Sequence, residues 1–237
     1  MATDNEKILK GRYRLLSVAG RGGLSTVYLA EDMETGSQVA LKAGDISREG
    51  ILRTFLNESE ILIRLDDPAV PKFIDYFEEN GRCVIVTKYI PGVILSDVAV
   101  EDPVLTGMQL LFILEYLQSL DRPVLHLDLK PANVVISPTG RVCLIDFGSA
   151  VRSGACSYVR SGTPGYCAPE QLLGRTLDTR TDIYGWGMLM RNITAGTKEG
   201  ETIRDILDKC TAEDPGDRYR DSKELIKVMR CMDIQGV

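Results

Sequence analysis

Apolar and polar positions alternate through the first ninety residues, the two-residue period of half-buried strands. Tyr13, Leu15 and Val18, then a glycine-rich turn, then Val27 and Leu29 predict a hairpin. After the turn Glu34-Thr35-Gly36, Val39-Ala40-Leu41-Lys42 predicts a short strand ending in lysine. The period then lengthens: Ile51, Phe55, Glu58, Leu62 and Leu65 recur at helical spacing between about Arg48 and Leu65, with Ser47 placed as N-cap. Two more strands follow, roughly Lys72–Phe77 and Cys83–Lys88, around the turn Glu79-Asn80-Gly81. Ile90-Pro91-Gly92 is the strongest break in the chain. Beyond it the pattern is helical: an apolar helix over Met108–Leu120, then stretches at about Asp182–Thr194, Glu201–Cys210 and Ser222–Met229. The sequence therefore predicts an α+β protein, strand-rich first and mainly helical afterwards.

The exception in the helical part is the run from His126 to Gly148, which places Asp128, Lys130, Asn133 and Asp146 within 21 positions. Val134-Val135-Ile136 and Val142 to Ile145, joined by Pro138-Thr139-Gly140, read as two short buried strands and a turn. Closing that hairpin returns Asp146 towards Asn133 and Asp128. Two carboxylates, an amide oxygen and an ammonium at one spot suit Mg²⁺ and phosphate, because Mg²⁺ takes one or two hard oxygen ligands from protein and the rest from water and phosphate. The plainer alternative is a polar hairpin with solvated charges.

Two features of the first part join this one. Gly20-Arg21-Gly22-Gly23-Leu24-Ser25-Thr26-Val27 is a loop whose missing side chains let backbone N–H groups approach phosphate oxygens. A strand follows it rather than a helix, against a P-loop or Rossmann site, and a flexible hairpin tip is equally consistent with the loop alone. Glu58 falls in the apolar stripe of its helix, a costly place for an unpaired carboxylate. Lys42 is its natural partner; otherwise Glu58 only borders the stripe.

Composition narrows the classes. The 237 residues carry a net charge of −6, with no basic excess to suggest nucleic acid. No apolar run approaches a membrane span, and Met1 to Lys10 has no apolar core of a signal peptide, so the expectation is a cytoplasmic chain. Six cysteines without a C-x-x-C pair, beside a single histidine, argue against zinc and for reduced thiols.

Taken in order, these motifs resemble the protein kinase family, specifically bacterial-type serine/threonine kinases, over about residues 12–230. The resemblance implies a two-lobed fold: a lobe over 1–87 with an antiparallel sheet and one helix, a hinge at 88–92, and a mainly helical lobe over 93–237. Val39-Ala40-Leu41-Lys42 resembles the lysine strand and Glu58 its partner on the C-helix. His126-Leu127-Asp128-Leu129-Lys130-Pro131-Ala132-Asn133 resembles the catalytic loop, Asp146-Phe147-Gly148 the magnesium motif, and Ala168-Pro169-Glu170 the end of the activation segment. Asp182 matches the aspartate opening the buried F-helix, and Arg218 the arginine that pairs with Glu170.

The resemblance also implies roles. Gly20, Gly22 and Gly23 would cover the phosphates of ATP, and Lys42, held by Glu58, would neutralise them. Asn133 and Asp146 would hold Mg²⁺, or Mn²⁺ in its place. Asp128 would accept the substrate proton, Lys130 would offset charge on the transferred group, and Thr163 would bond near both. Adenine would lie among Val27, Ala40 and Val135, with its polar edge on the backbone of Lys88 and Ile90 and Thr87 as gatekeeper. Leu62, Phe73, His126 and Phe147 would stack as a spine. Lys130 and Gly162-Thr163-Pro164-Gly165-Tyr166 favour serine/threonine over tyrosine as acceptor.

Two departures stand out. Leu127 occupies the place where many kinases carry an arginine that binds a phosphate on the activation segment, so Ser153, Ser157, Tyr158 and Ser161 are expected to be dispensable. The stretch between Asp182 and Arg218 is short, so the G-helix is expected to be missing or reduced. That leaves protein-substrate recognition to the activation segment, a dedicated partner or autophosphorylation in trans; Arg152 and Arg160 would favour acidic peptides unless simply solvated. A nucleotide-binding scaffold with little transfer activity and a small-molecule phosphotransferase are the competing readings.

Overall fold

The computed structural model describes residues 8–153 and 162–233; Cys156, Ser157, Tyr158, Arg160 and Ser161 lie outside the described residues. The chain divides into two compact units, residues 1–91 and 92–237.

The first unit is an antiparallel sheet of β1 (Ile8–Leu9), β2 (Tyr13–Arg21), β3 (Ser25–Asp32), β4 (Ser37–Asp45), β5 (Phe73–Glu79) and β6 (Arg82–Lys88), in spatial order β1-β2-β3-β4-β6-β5. Because successive side chains alternate across a sheet, the register assigns its faces. One face buries Tyr13, Leu15, Ala30, Val39, Leu41, Ala43, Phe77, Val84 and Val86. The other carries Val27, Ala40, Lys42, Ile85 and Thr87, since Val27 pairs Lys42, Lys42 pairs Ile85 and Ala40 pairs Thr87. Helix α1 (Ile51–Leu62) is pressed against that second face at Gly44, where a Cβ would sit 2.7 Å from the Phe55 ring. Only a glycine permits this approach.

Sequence and structure differ at the start of α1. Ser47 does not cap it: its N–H and hydroxyl both bond the Asp45 carboxylate, and the residue before the helix is Gly50, at φ 79°. The short Asp45–Ser47 turn satisfies the serine locally, so it is spent three residues too early.

The second unit begins with β7 (Val93–Ile94), which pairs with β9 (Val134–Ile136); β9 pairs in turn with β10 (Val142–Leu144). Helix α2 runs over Pro103–Ser119, five residues longer at its start than the apolar stripe alone predicted. The reason is local chemistry: Asp102 accepts from the Leu105 N–H, and Pro103 fits the first helical turn. A second ribbon pairs β8 (Val124–Leu125) with β11 (Val151–Arg152). The remaining helices are α3 (Pro169–Leu172), α4 (Thr179–Ile193), α5 (Lys198–Thr202), α6 (Arg204–Cys210) and α7 (Ser222–Asp233). The stretch expected as one helix over Glu201–Cys210 is thus two, α5 and α6, meeting at Ile203.

At the centre of this unit α4 packs on α2, with Trp186 fully buried and its indole N–H donating to the Gly107 carbonyl at 2.9 Å. Gly107 allows the contact, because a Cβ there would meet the Met190 sulfur at 2.5 Å. Among the described residues Cys83, Cys143, Cys167 and Cys210 are buried cysteines outside any disulfide, and Cys231 is an exposed one. No helix among them is long and apolar enough to cross a membrane.

Candidate active site

In the first unit, the expected pair forms: Lys42 Nζ lies 2.7 Å from Glu58 Oε2. Glu58 is only 3 % exposed, so the pairing is what makes its place in the apolar stripe tolerable. The ammonium also stands 5.7 Å from the centre of the Phe55 ring, an apolar neighbour that keeps water off one side. Within the glycine loop the Gly22 N–H donates to the Ser25 carbonyl at 2.9 Å, closing a tight turn. Arg48 donates to the Gly23 carbonyl at 2.8 Å. Gly22 and Gly23 are exposed and Gly20 half-buried; Val27, Ala40 and Thr87 are half-buried on the Lys42 face of the sheet. The Lys88 N–H is spent on the Lys72 carbonyl, and Ile90 lies just past the end of β6. Leu62 is buried and Phe73 half-buried in this unit.

In the second unit the run from His126 to Gly148 folds as the predicted hairpin, Val142 opposite Ile136 and Leu144 opposite Val134. The Ile145 N–H then donates to the Asn133 carbonyl at 2.8 Å, so Asp146 follows one residue beyond that contact. Asp146 is exposed and left-handed at φ 63°, and its Oδ1 accepts from the Gly148 N–H at 3.2 Å. Val135 is buried in β9.

Asp128 is the hub. Its Oδ2 accepts from Lys130 Nζ at 2.8 Å and Asn133 Nδ2 at 3.0 Å; its Oδ1 accepts from Thr163 Oγ1 at 2.7 Å and the Thr163 N–H at 3.1 Å. Asn133 Nδ2 also reaches the Asp128 carbonyl at 2.8 Å, and Lys130 Nζ reaches Thr163 Oγ1 at 2.7 Å. Burial alone pushes the Asp128 carboxyl up, but the bonds from Lys130, Thr163 and Asn133 outweigh it and hold it below the usual carboxylate range. The group is therefore an anion at neutral pH.

The backbone around it is fixed from below. Asp182 accepts from the His126 and Leu127 N–H groups, both at 2.8 Å. Burial pushes the Asp182 carboxyl up to about 6 against the pull of those two donors. His126 is fully buried, which lowers its pKa and keeps the ring neutral; it meets the Phe147 ring edge-on at 5.0 Å. Leu127, at φ 64°, buries its side chain with Leu125 and Val151 against Leu177. Leu127 thus belongs to an apolar cluster and presents no cation.

Reading along the chain identified Asp182, Glu170 and Arg218 by their motif positions, but missed Gln171. That side chain is 3 % exposed and bonds both the Leu127 carbonyl and the Ala168 N–H, each at 2.9 Å. Its partner at Leu127 lies 44 residues away, so no periodicity could reveal it. The position directly after Ala168-Pro169-Glu170 is the only hint.

Among the described residues no three His, Cys, Asp or Glu side chains gather around a common point. Magnesium does not require such a cluster. The Asn133 side chain bonds Asp128 twice through its Nδ2, which leaves the amide oxygen as a hard acceptor near the Asp146 end of the hairpin. The donor set of one amide oxygen and one carboxylate fits Mg²⁺.

Comparison with known proteins agrees with the motif order. The chain is 34% identical over 234 residues to serine/threonine-protein kinase pkn2 of Myxococcus xanthus, covering 91% of this chain and 28% of that protein. It is 28% identical to serine/threonine-protein kinase PrkC of Bacillus subtilis, over 92% of this chain and 40% of the relative. With serine/threonine-protein kinase PknB of Mycobacterium tuberculosis the identity is 30%, over 87% of this chain and 36% of the relative. The chain thus spans well under half the length of these relatives. The family model described as protein kinase domain matches residues 13–232, nearly the whole chain, and its α+β architecture is the one built above. By that match the chain belongs to the protein kinase domain family.

Proposed function

We propose that this domain is a serine/threonine protein kinase, moving the γ-phosphoryl group of Mg-ATP to a protein serine or threonine hydroxyl with Asp128 as the accepting base. The observation that carries the reading is the Asp128 carboxylate, held by Lys130, Asn133 and Thr163 at 2.7–3.1 Å while remaining ionised at neutral pH. A base must present an anion in fixed orientation to the hydroxyl it activates. Phosphoryl transfer asks little covalent chemistry of the protein beyond such positioning and charge.

The other roles follow by chemistry. Lys130, already bridging Asp128 and Thr163, supplies a cation to the transferred group. Lys42, steadied by Glu58, neutralises phosphate charge, and the backbone of Gly20, Gly22 and Gly23 approaches the same groups. The residues assigned to adenine are Val27 and Ala40, on the Lys42 face of their sheet, Val135 in β9, and Thr87, Lys88 and Ile90. Asn133 and Asp146 would hold Mg²⁺, which would supply charge neutralisation at the phosphates. The partners are ATP and a protein substrate, including a second copy of this chain.

The relatives, themselves serine/threonine-protein kinases by name, support the serine/threonine assignment. A scaffold that binds nucleotide without transferring would be expected to have lost one of these groups, and none is replaced. The test is incubation with labelled ATP, Mg²⁺ and a generic protein acceptor, followed by separation of the phosphoamino acids. Label on serine and threonine is expected. Label on tyrosine alone, or bound ATP with no transfer to any residue, would refute the reading.

A further inference from the structure

The base proposed above sits directly after a strained residue. Leu127 is left-handed at φ 64°, a conformation a side-chain-bearing residue keeps only when its surroundings over-determine it. Its N–H is held by Asp182 and its side chain by Leu125 and Val151, which leaves its carbonyl. That carbonyl accepts from Gln171 Nε2 at 2.9 Å. The Leu127 carbonyl belongs to the same peptide plane as the Asp128 nitrogen, so whatever orients it orients the start of Asp128.

The same amide reaches in two more directions. Gln171 Oε1 accepts from the Ala168 N–H at 2.9 Å. A Cβ placed on Gly162, at φ 135°, would stand 2.6 Å from the Cys167 Cβ, 3.2 Å from Gln171 Nε2 and 3.6 Å from the Leu127 carbonyl oxygen. Gly162 therefore passes close over this knot, and the next residue is Thr163, which donates twice to the Asp128 carboxylate. One buried amide thus bonds the backbone that carries Asp128 and stands where any side chain on Gly162 would meet it, one residue before the Thr163 donor.

We infer that Gln171 is a positioning residue for Asp128: its amide ties the Leu127 carbonyl to the Ala168 N–H, and so holds the catalytic loop and the Gly162–Thr163 segment in one register. The inference rests on the assignment of Asp128 as base and deepens it. A helix cap accounts for only half of the geometry. Capping at the third helical position needs an acceptor, which glutamate supplies as well as glutamine. Holding the Leu127 carbonyl needs a donor, which an ionised carboxylate lacks.

That difference defines the experiment. In Gln171→Glu the carboxylate keeps the Ala168 bond but faces a carbonyl with no proton; once protonated, one oxygen donates and the other accepts, as the amide does. Displacement of reacting groups by a fraction of an ångström to one ångström is enough to cost about 10- to 100-fold in kcat. At pH 8, Gln171→Glu and the nearly isosteric Gln171→Met should both lose kcat on that scale, with KM for ATP changed less than twofold. As pH falls to 6, the Gln171→Glu to wild-type ratio of kcat should rise several-fold, while the Gln171→Met ratio stays flat.

Hydrogen exchange at the Leu127 and Asp128 amides supplies a readout independent of phosphoryl transfer. It should quicken about tenfold or more in Gln171→Met, and in Gln171→Glu only at the higher pH. Wild-type kcat and unaltered exchange in both variants, or a Gln171→Glu ratio flat with pH, would overturn the inference. Asp128→Asn run alongside separates the two levels: inactive Asp128→Asn with fully active Gln171 variants defeats the inference alone, whereas active Asp128→Asn defeats the assignment of the base.

Discussion

Arg218 closes on Glu170 across 48 residues of sequence, Nη1 to Oε1 at 2.7 Å and Nη2 to Oε2 at 2.9 Å. The arginine side chain is 0% and the glutamate 3% exposed. The guanidinium also donates to the carbonyls of Ala212, Arg180 and Glu213 and lies over the Tyr184 ring at 4.8 Å. It therefore joins the segment after α6 to α3 and α4. Removing one partner leaves a buried charge alone, which costs about 3–5 kcal/mol. Arg218→Met and Glu170→Gln should both lower stability in urea unfolding, Arg218→Met more, because it also removes the hydrogen bonds to three carbonyls. The double variant should be less destabilised than the sum of the singles. Strict additivity would show that the pair is not coupled.

In the proposed function the Lys42–Glu58 pair, 2.7 Å apart, sets charge at the phosphates. Lys42→Met should reduce transfer by about 10²–10³-fold, the scale of losing one preorganised electrostatic group. Glu58→Gln keeps shape and a hydrogen bond while losing charge, and should cost about tenfold, or ~1.4 kcal/mol. Steady-state kinetics on the two variants check both numbers. Equal losses would mean that Glu58 does more than steady the lysine.

Acid should reveal the Lys130 contact. Asp128 is held below the usual carboxylate range by Lys130, Thr163 and Asn133 against the opposing effect of burial. A depressed native pKa gives stability that is present above the unfolded value, near 4, and lost as pH falls below it. Wild-type activity should therefore show no acid limb from Asp128 between pH 5 and 8. In Lys130→Met the cation is gone, and the acid limb of kcat/KM should move to higher pH. An unmoved limb would separate Lys130 from the ionisation of Asp128.

Leu127 is only 3% exposed, packed beside Leu125, Val151 and Leu177, and offers no cation to a phosphate. The combined change of Ser153, Ser157, Tyr158 and Ser161 to alanine should leave activity within tenfold of wild type. The Ser153 N–H to the Pro123 carbonyl, 2.7 Å, belongs to the backbone and survives the change. A loss beyond tenfold in an initial-rate assay would show that phosphate on this segment orders it by another route.

Much of this was legible because it is local. The hairpin over 134–144 follows from two apolar runs around Pro138-Thr139-Gly140, and the exposure of Glu58 to an apolar stripe pointed to Lys42. The earlier start of α2 had its signal too, in Asp102-Pro103, which hydrophobic periodicity does not weigh. Ser47 misled because its hydroxyl found Asp45 before any helix N–H. Gln171 and Trp186 were invisible for a different reason. Their partners, the carbonyls of Leu127 and Gly107, lie 44 and 79 residues away, and a backbone carbonyl has no sequence signature.

The most direct measurement compares wild type and Asp128→Asn in a single turnover with Mg-ATP and a protein acceptor, after confirming equal ATP affinity and equal unfolding midpoints. The asparagine keeps the size of the side chain and cannot take the proton. The account predicts unchanged nucleotide binding and phosphoryl transfer slower by about 10²–10⁴-fold. Transfer at the wild-type rate would contradict it.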